Sequence, residues 1–284
     1  TFRFISRGTG PAIYGEQDAL ERPDGSVAME TFVIDGRPVE TQLLVNLPDR
    51  TWVGLDYEWD ADGRDARPLA RGETKRLADG TLWTFPGPEG CARCHHTQVG
   101  SLRAVRLSQL AATVGGRSQL AVLAERGVLA WREGEARKLS KPFPRLGDES
   151  APLEERARAY LDVNCSPCHQ PGGNAGEATM DLRRGTPLAA ARICERKPST
   201  AFPGEENASL LSPGAPEHSL LSIRMHLTDA GAMPPQRHRV DPVGTRIVDA
   251  WIASLATCPR DSRGGTVAGR ELESPPVRPI VPRP

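Results

Sequence analysis

Residues 160–169 read Tyr160-Leu161-Asp162-Val163-Asn164-Cys165-Ser166-Pro167-Cys168-His169, a helical pattern that runs directly into Cys-x-x-Cys-His. That spacing is the attachment signature of c-type haem. Two thiols three residues apart straddle the porphyrin edge, and the histidine that follows reaches the iron from one face. The signature occurs a second time at Cys91-Ala92-Arg93-Cys94-His95. In a chain with only 6 Cys and 6 His, two such matches predict two covalently bound haem c groups, held through Cys91, Cys94, Cys165 and Cys168. His95 and His169 are then the proximal iron ligands. A four-thiolate zinc site is disfavoured because the two pairs lie more than seventy residues apart, far beyond ribbon spacings. A redox dithiol is disfavoured because neither pair sits in an alternating β/α context.

Outward from residue 165 the pattern is helical. Leu153 to Asn164 carries Ala157, Tyr160 and Leu161 on one side, with Glu154, Glu155, Arg156 and Arg158 largely elsewhere. After Pro171-Gly172-Gly173-Asn174, short helices are expected near Pro187–Cys194 and Pro216–Leu227. Gly231-Ala232-Met233-Pro234-Pro235 interrupts, and a last helix is expected over about Pro242–Ala256, its apolar face made by Ile247, Val248, Trp251 and Ile252. Met233 carries a soft thioether, a ligand that favours reduced iron, and the adjoining prolines restrict its backbone. Met225, at helical spacing, suits packing.

The order helix, Cys-x-x-Cys-His, loops, Met-Pro-Pro, helix over residues 151–257 resembles the class I c-type cytochrome domain. The elements that carry the likeness are residues 160–169, Met233-Pro234-Pro235 and Ile247-Val248-Asp249-Ala250-Trp251-Ile252. The resemblance implies that His169 and Met233 clamp one iron from opposite sides, and that the first and last helices cross beside that haem.

The first ninety residues follow a strand pattern. Val27, Met29, Thr31 and Val33 alternate with their neighbours, as do Val39 to Leu47 and Val53 to Trp59. Asp24-Gly25, Asp35-Gly36, Asp62-Gly63 and Asp79-Gly80 read as turns. Several antiparallel strands in a small sheet or sandwich are expected, ending in Trp83-Thr84-Phe85-Pro86. From Ser101, Leu102, Val105, Leu110 and Val114 share a helical face up to Gly115-Gly116, and a second helix is expected over Leu120–Arg126. This half resembles, loosely over residues 30–112, the N-terminal part of exported two-haem bacterial proteins. The expected fold class is α+β: a β-rich region with the first motif at 1–132, a linker at 133–150, an all-α class I cytochrome c domain at 151–258 and an extended Pro/Arg/Gly-rich tail at 259–284.

No Met-Pro-Pro loop follows the first motif, and residues 97–150 contain neither His nor Met. The second ligand of that iron must come from elsewhere or be absent. His96, which follows the motif directly, suits a neighbouring haem. His218, His226, His238 and Met29 remain as candidates, of which His226 is preferred.

Basic and acidic side chains balance at 36 each, which gives no single-sign field for nucleic acid or a lipid surface. No apolar run is long enough for a transmembrane segment. The two cysteines outside the motifs, Cys194 and Cys258, are expected to form a disulfide in an oxidising compartment. Covalent haem attachment is normally completed outside the bacterial cytoplasm, so an exported protein of the periplasm or cell exterior is expected. The expected function is single-electron transfer with a redox partner protein or a neighbouring cytochrome subunit, the tail docking on another subunit of a complex or polymer. A dihaem peroxidase-like enzyme with one open haem is the alternative.

Overall fold

The computed structural model describes residues 2–6, 8–14, 20–21, 23–49, 51–94, 107–130, 142–173, 175, 180–235 and 239–259. His95, His96, His238 and nearly all of the expected tail lie outside the described residues, as do Leu102 and Val105. The fold is mixed, with a β-rich N-terminal region and helices concentrated in the second half.

The centre of the first half is an antiparallel meander: β4 (Val27–Ile34), β5 (Arg37–Asn46) and β6 (Trp52–Trp59). β1 (Phe2–Ser6) joins its outer edge at β4, and β7 (Ala66–Pro68) joins at β6. The Asp-Gly dipeptides make its turns. Asp35 and Gly36 adopt φ of 48° and 80°, and Gly25, Gly63 and Gly80 are also left-handed, a conformation for which glycine carries no Cβ penalty. A smaller sheet pairs β2 (Ala12–Tyr14) with β3 (Leu20–Glu21) and with β12 (Leu129–Ala130), which returns to it in parallel. Residues 129–130 thereby meet residues 12–13.

The alternation that predicts these strands does not mark their more buried face. Met29, Leu43, Val45, Val53, Leu55 and Tyr57 are half-buried, whereas Glu40, Leu44, Asn46, Gly54 and Asp56 on the opposite face are buried. The reason is the cover. The hairpin of β8 (Glu73–Arg76) and β9 (Leu82–Phe85) and helix α1 (Gly87–Cys94) lie over that side. Trp83 Nε1 donates to Glu40 Oε2 at 2.8 Å, and the Gly87 amide donates to Asp56 Oδ2 at 2.9 Å. Cys91 of α1 seats on Gly54: a Cβ there would lie 2.2 Å from Cys91 Cβ. Any larger residue would lift the helix off the sheet.

Three helical expectations are corrected. The segment ending at Val114 is helical only over α2 (Leu107–Leu110) among the described residues. Thr113–Val114 instead forms β10, which pairs with β11 (Arg117–Ser118). Gly115 and Gly116, with φ of 57° and 75°, turn a hairpin there and do not cap a helix. Helix α3 (Gln119–Glu125) follows, its Ser118 side chain accepting from the Ala121 amide. The segment near Pro187–Cys194 contracts to a 3₁₀ turn at Leu188–Ala190, because Arg192 is left-handed and Cys194 pairs with Leu211. The Pro216–Leu227 helix divides at Ser219, whose extended backbone separates a 3₁₀ turn (Pro216–His218) from the helix Leu220–His226.

In the second half, α4 (Leu153–Asn164) packs against the final helix, here α6 (Pro242–Ser254), with α5 (Leu220–His226) beside it. Gly244 permits the close crossing. A Cβ on it would sit 2.1 Å from the Tyr160 ring. Asp241 caps α6 by accepting from the Val243 and Gly244 amides at 3.0 Å each. Ala157, Leu161, Val248, Trp251 and Ile252 form the dry centre. The segment before α4 touches both halves: the Phe143 amide donates to Ser108 O at 3.0 Å, and Leu146 packs on the second core.

Cys194 and Cys258 form the expected disulfide, with Cα atoms 5.8 Å apart and a sequence separation of 64. Loop closure of that length stabilises by roughly 4 kcal/mol. In Cys194→Ser, chemical denaturation of the second half should show a loss of about that size, with the first half unaffected.

Glu40 and Asp56 lie close enough on the buried face for their charges to interact. Burial, then the Asp56 charge, pushes Glu40 from 4.5 up to about 8, against the pull of Gln42 and Trp83. Asp56 is likewise raised, mainly by burial. Folded Glu40 keeps its proton through a range in which the unfolded chain has released it. Stability from this group is therefore fully present below pH 4.5 and declines as pH climbs to about 8. Urea denaturation at pH 5 and pH 8 should differ by about 3 kcal/mol in the wild type, and Glu40→Gln should remove most of that difference.

Candidate functional site

The second Cys-x-x-Cys-His is a continuation of α4. The Leu161 carbonyl accepts from the amides of both Cys165 and Ser166, at 2.9 and 3.0 Å. The Cys165 carbonyl then accepts from Cys168 and His169, at 3.2 and 2.9 Å. Ser166, fully buried, fastens this turn from its side chain. Its Oγ donates to Asp162 O at 2.7 Å and lies 2.9 Å from Asp162 Oδ1. Asp162 Oδ2 in turn accepts from the Arg184 amide at 2.8 Å. On the far side of the histidine, the His169 carbonyl accepts from the Leu182 amide. The imidazole-bearing residue is thus held between the end of α4 and the strand-like segment at 181–183.

His169 faces an apolar crevice. Cys165, Leu182, Ile193, Phe202, Leu210 and Met233 are among its walls, and its enclosed volume is about 100 Å³. It opens into a cavity of about 1160 Å³ that is also lined by Cys168, His169 and Met233, as large as sites that take a sizeable organic ligand (roughly 300–1,000 Å³). The outer wall of that cavity includes Phe85, Pro86, Glu89 and Gly90, the residues that lead into the first motif. Burial, and secondarily the Arg224 charge, lowers the pKa of His169. The ring is therefore neutral at pH 7, the form that donates a nitrogen lone pair to a metal. Its Nδ1 is buried with no hydrogen-bond partner among the described residues.

Met233 reaches the same crevice from the loop after α5. Its amide donates to Arg224 O at 2.9 Å. Arg224 Nε also donates to Gly231 O at 2.8 Å, and its guanidinium lies over the Phe202 ring at 5.2 Å. Met225 belongs to the core cluster and is buried, yet it borders the inner crevice too. Met180 borders both the crevice and the larger cavity. Sequence reading passes over Met180 and Arg224. The first follows His169 by 11 residues with no proline loop to mark it, and the second is one arginine among many on a helical pattern.

The first motif is placed differently. Cys91 is buried against the sheet beside Leu44, with Ala28 and Trp52 packed nearby. Cys94 ends α1. The candidate second ligands do not converge on it. His226 Nε2 is engaged by Asp249 Oδ2 at 2.8 Å, on the α5 and α6 side of the second half. His218 is exposed in the 3₁₀ turn, and Met29 pairs with Leu43 in the sheet. Among the described residues no group of three or more His, Cys, Asp or Glu side chains has metal-binding geometry. A thioether-tethered group with His and Met axial ligands requires no such group. No helix among the described residues is long and apolar enough to cross a membrane.

No protein family, curated protein or solved structure matches this chain.

Gly173 closes the loop after the motif. A Cβ there would lie 2.1 Å from the Cys168 carbonyl oxygen, a backbone atom that the turn holds in place. Gly173→Ala should destabilise the second half by about 2 kcal/mol or more, measured by denaturant unfolding followed through Trp251 fluorescence, while the first half keeps its midpoint.

Proposed function

We propose that the chain is an electron-transfer protein that carries two covalently attached haem c groups. The observation that supports this most is the meeting of Cys165 and His169, from the turn after α4, with Met233, from the loop after α5, on one apolar crevice. The residues fit the group. Cys165 and Cys168 would hold it through thioether bonds, His169 offers a neutral imidazole, and Met233 offers a thioether from the other wall. When bound, haem supplies an iron centre that gains or loses one electron.

The remaining residues do the protein's share. Asp162 and Ser166 fix the turn that aims the imidazole. Leu182, Ile193, Phe202 and Leu210 exclude water, so the environment of the metal is set by side chains and not by solvent. His169 and Met233 would both hold the iron of a bound haem, leaving no position there for a substrate, which favours electron transfer over bond-making chemistry. Cys91 and Cys94 would anchor the second group in the first half, with His95 as its proximal ligand, a reading that rests on the motif. The cavity lined jointly by Phe85, Pro86, Glu89, Gly90, His169 and Met233 would bring the two groups toward one another.

The disulfide between Cys194 and Cys258 accords with an oxidising compartment, and we place the protein in the periplasm or outside the cell. Its partner is then another redox protein or a neighbouring cytochrome subunit.

Mass spectrometry of the intact purified chain tests the reading: the mass should exceed that of the polypeptide by two haems that survive denaturation. An unmodified mass would overturn it. In the haem-bearing protein, Met233→His should abolish the far-red charge-transfer band of sulfur-ligated ferric haem and lower the midpoint potential of that centre. Peroxide should leave the wild-type spectrum unchanged, whereas a high-spin signal that shifts with peroxide would favour the peroxidase-like alternative.

A further inference from the structure

Arg224 occupies an unusual electrostatic position. It is partly buried, and burial alone lowers its pKa. Among the described residues no carboxylate lies within ion-pair distance of it, and only its Nε has an acceptor, the Gly231 carbonyl. The guanidinium lies over the Phe202 ring, and Arg224 borders both the crevice and the larger cavity. Other charged groups around that cavity are Arg71, Arg196 and Lys197, with Glu73 and Glu89 on the opposite wall. Glu73 is occupied by Arg67 and Lys75. Desolvating a cation without a counter-charge is costly, and a guanidinium presents its terminal N–H groups as a planar fork suited to a carboxylate.

The same residue also controls the Met233 loop. Its carbonyl accepts from the Met233 amide, and its Nε takes the Gly231 carbonyl two residues earlier. Main chain and side chain of one residue therefore grip both ends of Gly231-Ala232-Met233. Gly231 fits only because it lacks a side chain: a Cβ there would lie 2.9 Å from Leu227 Cδ1 and 2.9 Å from Phe202 Cζ.

We infer that Arg224 is a carboxylate-binding residue that also positions Met233: its terminal N–H groups receive an acidic side group of the bound haem, while its Nε and carbonyl hold the loop that aims the thioether. Seating the cofactor and placing the sixth ligand are then linked through one side chain. This inference rests on the function proposed above. It explains why a partly buried cation bordering the crevice stands without a counter-charge among the described residues.

The test uses the full haem-bearing chain with Arg224→Gln and Arg224→Lys, titrated with imidazole as a competitor for the position held by Met233. Arg224→Gln should bind imidazole about tenfold more tightly than the wild type and show a shifted midpoint potential. Arg224→Lys keeps the charge but loses the fork and the bond to Gly231. It should recover much of the potential and little of the resistance to imidazole. Wild-type imidazole affinity and potential in both variants would overturn the inference. If neither variant can be purified with haem, a crystal structure of the wild-type holoprotein decides: an Arg224 terminal nitrogen within hydrogen-bond distance of a haem carboxylate supports the inference, and an Arg224 without that contact overturns it. A wild-type chain with no attached haem sinks the proposed function itself. A haem-bearing wild type with insensitive Arg224 variants sinks this inference alone.

Discussion

The Leu161 carbonyl, accepting at once from Cys165 and Ser166, is the point on which the second half turns. It ends α4 while keeping the next residues coiled, so that two cysteines and a histidine leave the helix in a fixed direction. Asp162 and Ser166 then secure the coil with side-chain hydrogen bonds in a place where water cannot compete. Because α4 is itself fixed by α6 across Gly244 and Tyr160, the orientation of His169 is inherited from a helix crossing. The crevice is a product of that inheritance. Its floor comes from residues following α4, and its opposite wall comes from the loop after α5.

The first half solves a different problem. A five-stranded sheet with a short helix laid on it ordinarily buries its apolar face, but here the covered face carries Glu40, Asn46 and Asp56. Burial of those groups is offset by hydrogen bonds: Trp83 and Gln42 donate to Glu40, the Gly87 amide donates to Asp56, and Asn46 donates to the Pro23 carbonyl. The same contacts fix the start of α1, the helix that carries the first Cys-x-x-Cys. Polar satisfaction, and not hydrophobic area, sets the seat of that motif.

Much of this was legible beforehand where the signal is local. The α4 boundaries, the three central strands and the left-handed Asp-Gly turns follow from periodicity and from glycine placement. The Cys194–Cys258 pair follows from setting aside the four motif cysteines. What could not be read depends on distant partners. Nothing in the local pattern of residues 113–118 shows that Gly115-Gly116 will fold Thr113 back onto Ser118. Arg192 and Cys194 leave helical geometry because Leu211 pairs there. The burial of the sheet's polar face depends on a hairpin more than twenty-five residues further along. Met180 and Arg224 reach the crevice only through tertiary packing.

The bridge between Cys194 and Cys258 encloses more than its two ends. Phe202, Leu210, Arg224, Met233 and all of α6 lie between them, so one side of the crevice belongs to a covalent ring. Cys165, His169 and Leu182 lie on the open chain outside it. A protease that cuts once anywhere inside the ring leaves both pieces joined, and the nick becomes visible as separate fragments only after a reductant opens the bridge. The wall that bears Met233 can thus be severed without being lost.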